Sequence, residues 1–206
     1  MRRLICFYCA IAFFPAACAF QAAENKPPQR DVAAQAQQEP LKPRDDVAGL
    51  PNFAKVSEVL YRGAQPTAEG FAQLKKMGIK TIINLRSLHS DRSKLEGTGL
   101  QYVHITAEAW NPEEEDVLKF LKIALNPAHQ PVFVHCKCGA DRTGMMVAIY
   151  RMLEQGWNLE KVFKEMDNFG RHPVFSEIND YLKKLDPKTL PGKLEQTPEP
   201  KIDVIK

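Results

Sequence analysis

At 206 residues the chain is long enough for one domain of ordinary size plus tails, and a core of that size needs no disulfide or metal to hold it. Its 44% hydrophobic and 26% charged residues are the proportions of a soluble globular protein. The formal charge of +3 falls to about +1 once Arg2 and Arg3 of a removable amino-terminal segment are set aside, so no basic arm remains and nucleic acid is excluded as a partner.

Met1 to Ala19 opens on Arg2-Arg3, runs from Leu4 to Phe14 without a charge and closes on Ala17-Cys18-Ala19, the pattern of a secretory signal with a small-residue cleavage site. A secreted or periplasmic protein is expected. The apolar run falls short of the roughly 20 residues that span a bilayer, and no other stretch approaches that length, so the mature chain is expected to lack a transmembrane helix. A lipid anchor on Cys18 is the less favoured alternative, because Pro15 stands where such signals usually carry leucine. Residues 20–49 are rich in Gln, Ala, Pro and charge without apolar periodicity and read as a flexible linker. Residues 187–206, with four prolines and mixed charge, read as a disordered tail. One domain, residues 50–186, lies between them.

Inside it short strands alternate with helices. Val59 to Arg62 and Thr81 to Asn84 are strand candidates, separated by a helix from Thr67 to Met77 that Gly78 ends. Tyr102 to Ile105 and Val132 to His135 follow. This spacing predicts an α/β fold, a mostly parallel sheet of about four or five strands flanked by crossover helices. Asn111, with Pro112 behind it, is the expected cap of a helix whose buried stripe is Val117, Phe120, Leu121, Ala124 and Leu125. Leu159, Val162, Phe163 and Met166 mark another helix, and a last one starts near Phe175 and buries Ile178, Leu182 and Leu185.

The stretch Pro131 to Gly144, P-V-F-V-H-C-K-C-G-A-D-R-T-G, joins a buried strand to a long apolar helix through a tight polar loop. Such a loop collects anions: successive backbone N–H groups face one point, and the helix dipole adds roughly half a positive charge. Gly139 permits the bend and Arg142 supplies a fork that matches phosphate or sulfate. Cys136 opens the loop, and a thiol among N–H donors, a helix N-terminus and an arginine is stabilised as thiolate, a nucleophile facing an anion cradle. An inert buried cysteine would leave the Gly, Asp, Arg and Thr unexplained.

H-C-K-C-G-A-D-R-T-G resembles the H-C-x5-R-T signature loop of the cysteine-dependent protein tyrosine and dual-specificity phosphatases. Y-R-G-A-Q-P-T from Tyr61 to Thr67 and I-I-N-L-R from Ile82 to Arg86 are similar to the bacterial, plant and fungal atypical dual-specificity branch, and the likeness covers roughly Pro51 to Leu185. The resemblance implies Cys136 as nucleophile and Arg142 as phosphate clamp. Lys137, Cys138, Gly139, Ala140, Asp141 and Arg142 would form the cradle, with Thr143 a hydroxyl that supports the thiolate. His135 and Arg86 are expected as supports. The acid that protonates the leaving oxygen is expected to be Asp141, inside the loop, or Glu108, where relatives often carry an aspartate.

The expected reaction is metal-independent and cofactor-free hydrolysis of phosphomonoesters through a cysteinyl phosphate. Its substrate would be a phosphorylated protein or a small phosphorylated molecule such as a phosphoinositide or inositol phosphate. Two rivals are a rhodanese-like sulfur transferase and a non-catalytic module that binds phosphate or metal. For the latter H-C-x-C is half a metal site without a second half. Cys136 and Cys138 would pair only through a strained, easily reduced disulfide.

Overall fold

The computed structural model describes residues 32–205. The segment read as an export signal, with Cys18, lies outside the described residues. Among them no helix is long and apolar enough to cross a membrane.

The architecture is a single α/β unit around a six-stranded sheet. Its strands are β1 (Ala54–Lys55), β2 (Leu60–Gly63), β3 (Thr81–Asn84), β4 (Gln101–His104), β5 (Val132–His135) and β6 (Asp203–Val204), in the order β1-β2-β5-β3-β4-β6. The four inner strands run parallel, and the two-residue strands at the edges run antiparallel to their neighbours. Side chains alternate across the sheet as the period of two requires. Val132, Val134, Ile83 and Val103 face one apolar cluster, and Phe133, Ile82 and Tyr102 face the other.

The helices are α1 (Val32–Ala36), α2 (Ala68–Lys76), α3 (Arg92–Leu95), α4 (Glu114–Ala124), α5 (Asp141–Gln155), α6 (Leu159–Asn168), α7 (Ser176–Lys184) and α8 (Leu190–Gln196). Helix α2, capped by the Thr67 hydroxyl, covers the second cluster with Phe71 and Leu74. The first cluster is covered by α4, α5, α6 and α7, through Phe120, Met146, Val162 and Ile178 among others. Helix α5 is buried along most of its length, as a central helix with neighbours on several sides must be. The register aligns Gly63 and Asn84 with His135, and His104 with Asn84. The loops after four parallel strands therefore open on one edge, where ligands bind in sheets of this kind.

Three details differ from the sequence reading. The cap of α4 is Glu113, not Asn111, whose side-chain amide instead donates to the Glu113 carboxylate at 2.8 Å. The supposed tail forms α8 and then β6, which pairs with β4 and makes the sheet one strand larger than expected. The supposed linker, from Gln35 onward, straps onto α6 and its neighbours. Gln35 O accepts from Trp157 Nε1 at 2.9 Å, Leu41 N–H donates to Glu165 at 2.9 Å, and Arg44 bridges Phe53. These bonds are made by backbone groups that every residue type carries, so composition does not announce them.

Candidate active site

The cradle hangs between β5 and α5, and its carbonyls are tied outward. Gln65 N–H donates to Lys137 O at 3.2 Å, Asn52 Nδ2 to Cys138 O at 2.9 Å and Arg62 Nη2 to Gly139 O at 2.8 Å. In a planar trans peptide the C=O and the following N–H point in opposite directions. Fixing those three oxygens to the frame thus turns the N–H groups of Cys138, Gly139 and Ala140 toward the mouth. The Gly139 N–H reaches the Cys136 sulfur at 3.3 Å. Cys136 lies on the floor of the cradle at 2% exposure, while Lys137 and Cys138 are exposed on its lip.

Gly139 is required twice over. Its φ is +73°, and a Cβ there would stand 2.6 Å from the carbonyl carbon of Gly63 and 2.7 Å from the amide of Ala64, backbone atoms that cannot swing aside. Arg142, half-buried, has its guanidinium held by Leu85 O at 3.2 Å and Ala107 O at 3.5 Å, which joins the loops after β3 and β4 to the cradle.

His135 is fully buried, with Nδ1 3.3 Å from Cys136 O and Nε2 3.0 Å from Asp91 Oδ2. Asp91 also accepts from Gln65 Nε2 at 2.7 Å, and its amide donates to the Tyr102 hydroxyl at 3.2 Å. Burial alone would push the Asp91 carboxyl up. Hydrogen bonding and charge from His135, with a further bond from Gln65, outweigh it and hold the group below the usual carboxylate range. Arg86, expected as a support, donates to Gln65 Oε1 at 2.8 Å and so reaches the cradle through the residue whose amide holds Lys137 O.

Beneath the cradle lies a buried charge cluster. Arg62 is fully buried, its guanidinium carbon 3.6 Å from the centre of the Phe169 ring and one nitrogen 3.9 Å from Glu165. Arg151 grips the same carboxylate with Nε at 3.2 Å and Nη2 at 2.9 Å. Burial pulls Arg62 down to about 10, Glu165 opposes that shift and Arg151 adds to it. One carboxylate thus serves two buried cations, one of which holds the Gly139 carbonyl.

Over the cradle opens a pocket lined by Cys136, Lys137, Cys138, Asp141 and Arg142, and on its other side by His172, Val174 and Phe175 from the loop between α6 and α7. Of the two acids expected at the mouth, Asp141 lies in this pocket, but both its oxygens are engaged by His172. Glu108, half-buried, is not among the residues lining it and bears instead on Asp116, whose carboxyl is pushed up chiefly by burial with Glu108 a minor contributor. Thr143 is buried with its hydroxyl unpaired. Among the described residues no group of three or more His, Cys, Asp or Glu side chains is arranged to hold a metal ion.

Asn52, Arg62, Gln65, Asp91, Glu165 and His172 are parts of this site that the sequence reading left without a role. Arg62 and Gln65 sat inside the quoted Y-R-G-A-Q-P-T motif. Glu165 carried a signal of its own, an acid three residues after Val162 and next to Met166 on the buried stripe of α6. Asp91 and His172 stand in polar loops with no local pattern to mark them.

Residues 45–178 match the family described as DSP-PTPase phosphatase fused to NAD+ kinase. The probable tyrosine-protein phosphatase DG1060 of Dictyostelium discoideum is 36% identical over 133 residues, 60% of this chain and 78% of that one. The dual specificity protein phosphatase TpbA of Pseudomonas aeruginosa is 31% identical over 139 residues, which are 66% of this chain and 63% of TpbA. The crystal structure of a cysteine-to-serine TpbA variant with phosphotyrosine superposes with a TM-score of 0.62 at 28% identity, covering 70% of this chain and 90% of that one. The catalytic core of the PP-IP phosphatase Siw14 from S. cerevisiae follows with a TM-score of 0.61 at 26% identity, covering 73% and 94%. A nucleophile-bearing anion cradle in this fold, matched over most of the domain by proteins of one kind, places the chain in the dual-specificity and tyrosine phosphatase family, cysteine-dependent enzymes that hydrolyse phosphomonoesters through a cysteinyl-phosphate intermediate.

Proposed function

We propose that the chain is a phosphatase of phosphotyrosine in proteins. Cys136 attacks phosphorus in line with the departing oxygen. The inward N–H groups of the cradle and the fork of Arg142 hold the three equatorial oxygens, where charge is carried through the transition state. Thr143 offers its unpaired hydroxyl to the sulfur, and His135, locked by Asp91, keeps the start of the loop in place.

The observation that carries the choice of substrate is the rim. Val174, 75% exposed, and Phe175 stand at the mouth with Cys136, and among the described residues Lys137 and Arg142 are the lysine and arginine that line the pocket. An apolar wall beside one phosphate site fits a phenyl phosphate. A polyphosphorylated ring would call for a fence of lysines and arginines. A second reading rests on Lys137, exposed in the cradle, and on the kinship with Siw14, and makes the substrate an inositol diphosphate.

A panel at one pH separates the two. We expect kcat/KM for a phosphotyrosine peptide at least about tenfold above that for a phosphoserine peptide and for a diphosphoinositol phosphate, as loss of one good apolar contact is worth roughly 10–200-fold. Phe175→Ala should raise KM for the aryl substrate several-fold and leave inhibition by inorganic phosphate unchanged. Faster turnover of the inositol compound would reverse the assignment.

We also propose that Met1 to Ala19 directs export, a reading supported by Arg2-Arg3, the uncharged run and Ala17-Cys18-Ala19. Fractionation of cells making the full chain should find activity outside the cytoplasm on a protein that begins at Phe20. An acylated Cys18 in the membrane fraction would indicate the lipid anchor instead.

A further inference from the structure

Asp141 is the first residue of α5 and its side chain is only 10% exposed. Neither of its oxygens is free to hang over the mouth: Oδ1 accepts the His172 amide at 2.8 Å, and Oδ2 lies 2.7 Å from His172 Nδ1. The ring of His172 is 51% exposed in the same pocket as Cys136 and Arg142, and it is braced edge-on by Phe175 at 6.2 Å between ring centres. With Nδ1 committed to Asp141, Nε2 on the far side of the ring is the nitrogen left to exchange a proton.

We propose that His172, oriented by Asp141, is the acid that protonates the leaving oxygen and the base that then activates water. This assignment rests on the phosphatase reading. In the first step the Cys136 sulfur bonds to phosphorus, the ester P–O bond breaks, and the Nε2 proton moves to the departing oxygen, leaving neutral imidazole. In the second, water attacks phosphorus, Nε2 takes a proton from it, and the S–P bond breaks to return thiolate, inorganic phosphate and imidazolium. Asp141 holds the ring's orientation and tautomer throughout and stabilises it when it is charged, as an aspartate does behind a catalytic histidine.

The titratable and charged groups that line the pocket with the ring are Asp141 and Arg142 from the start of α5, and Cys136, Lys137 and Cys138 from the cradle. On its own loop Arg171 is turned aside to Asp167 and Asn179. The two variants therefore make opposite predictions. His172→Gln should lower kcat/KM for phenyl phosphate by about 10²-fold or more, and by less than roughly tenfold for nitrophenyl phosphate, whose leaving group needs little protonation. It should also abolish the alkaline limb of the pH profile. Asp141→Asn should keep that limb, displaced toward acid, because the carboxylate that favours the charged ring is gone.

The leaving-group ratio is taken within one variant, so a partly unfolded preparation cancels out of it. An unchanged ratio in His172→Gln, a surviving alkaline limb there, or the same signature in Asp141→Asn or Glu108→Gln in place of His172→Gln would overturn the assignment alone. Wild-type protein that fails to hydrolyse nitrophenyl phosphate would remove the phosphatase reading and this assignment with it.

Discussion

Cys136→Ser should abolish turnover, by at least about 10⁴-fold in kcat, while a phosphotyrosine peptide still binds within a few-fold of its wild-type affinity. The two quantities separate because different atoms supply them. Turnover needs a sulfur that can be ionised and can leave again, and a serine hydroxyl at the floor of the cradle does neither at neutral pH. Binding draws on the amides of Cys138, Gly139 and Ala140, aimed by bonds from Gln65, Asn52 and Arg62 to the carbonyls behind them, and on the guanidinium of Arg142. None of these touches the substituted atom except the Gly139 amide, which a hydroxyl can accept as well as a thiolate. Arg142→Lys makes the contrasting case. An ammonium cannot form the paired bonds of the fork, nor hold Leu85 O and Ala107 O together, so both binding and turnover should weaken. Calorimetry with the peptide and a discontinuous phosphate assay measure the two properties, and residual hydrolysis in pure Cys136→Ser protein would end the thiol mechanism.

Glu165→Gln should cost about 3–5 kcal/mol of stability, equivalent to roughly 6–20 °C in Tm for a domain of this size. Glutamine keeps the shape and loses the charge. Two buried guanidiniums, Arg62 and Arg151, then face each other with no anion between them. The other groups that hold them are neutral for the most part: Arg62 has the Phe169 face and the Gly139 carbonyl, and Arg151 has the Trp157 face, Gln155 and Val56 O. The loss should spread to function, because Arg62 positions the carbonyl that turns the cradle, and to the strap, because Leu41 N–H ends on the same carboxylate. The double variant Glu165→Gln, Arg151→Gln should lose less than the sum of the single variants, as coupled partners do. Thermal unfolding of the three proteins decides the matter, and a shift below about 2 °C in Glu165→Gln would mean that the cluster is solvated and carries no such weight.

The parts legible in advance were those in which cause and effect lie close together along the chain. Strands β3 and β5 have the bounds read from the sequence, and β2 and β4 are displaced by a single residue, because the centre of a buried parallel strand is apolar and short polar stretches flank it. The cradle was legible for the same reason: nucleophile, turn glycine, arginine and helix start occupy consecutive positions from His135 to Gly144. The edge strand β6, two residues long, and the strap from Gln35 had no such signature. They are attached by backbone bonds and by contacts with distant helices, and their composition is that of an open coil.

What the sequence by itself determined is the α/β order of elements and the presence of a thiol at the start of an anion-binding loop, since periodicity and a contiguous motif are properties of neighbours. Only the tertiary structure decided which side chains aim that loop and which partners hold the carboxylate at its end. Asn52 reaches Cys138 across 86 positions, Arg62 reaches Gly139 across 77, and His172 takes both oxygens of Asp141 across 31. In one dimension Asp141 is a carboxylate free to donate a proton and His172 a polar residue in a loop. Folding brings the ring within hydrogen-bond distance of the carboxylate, commits both carboxylate oxygens, and leaves the imidazole in the mouth, because a buried carboxylate costs less when its oxygens are paired than when they are left facing apolar surroundings.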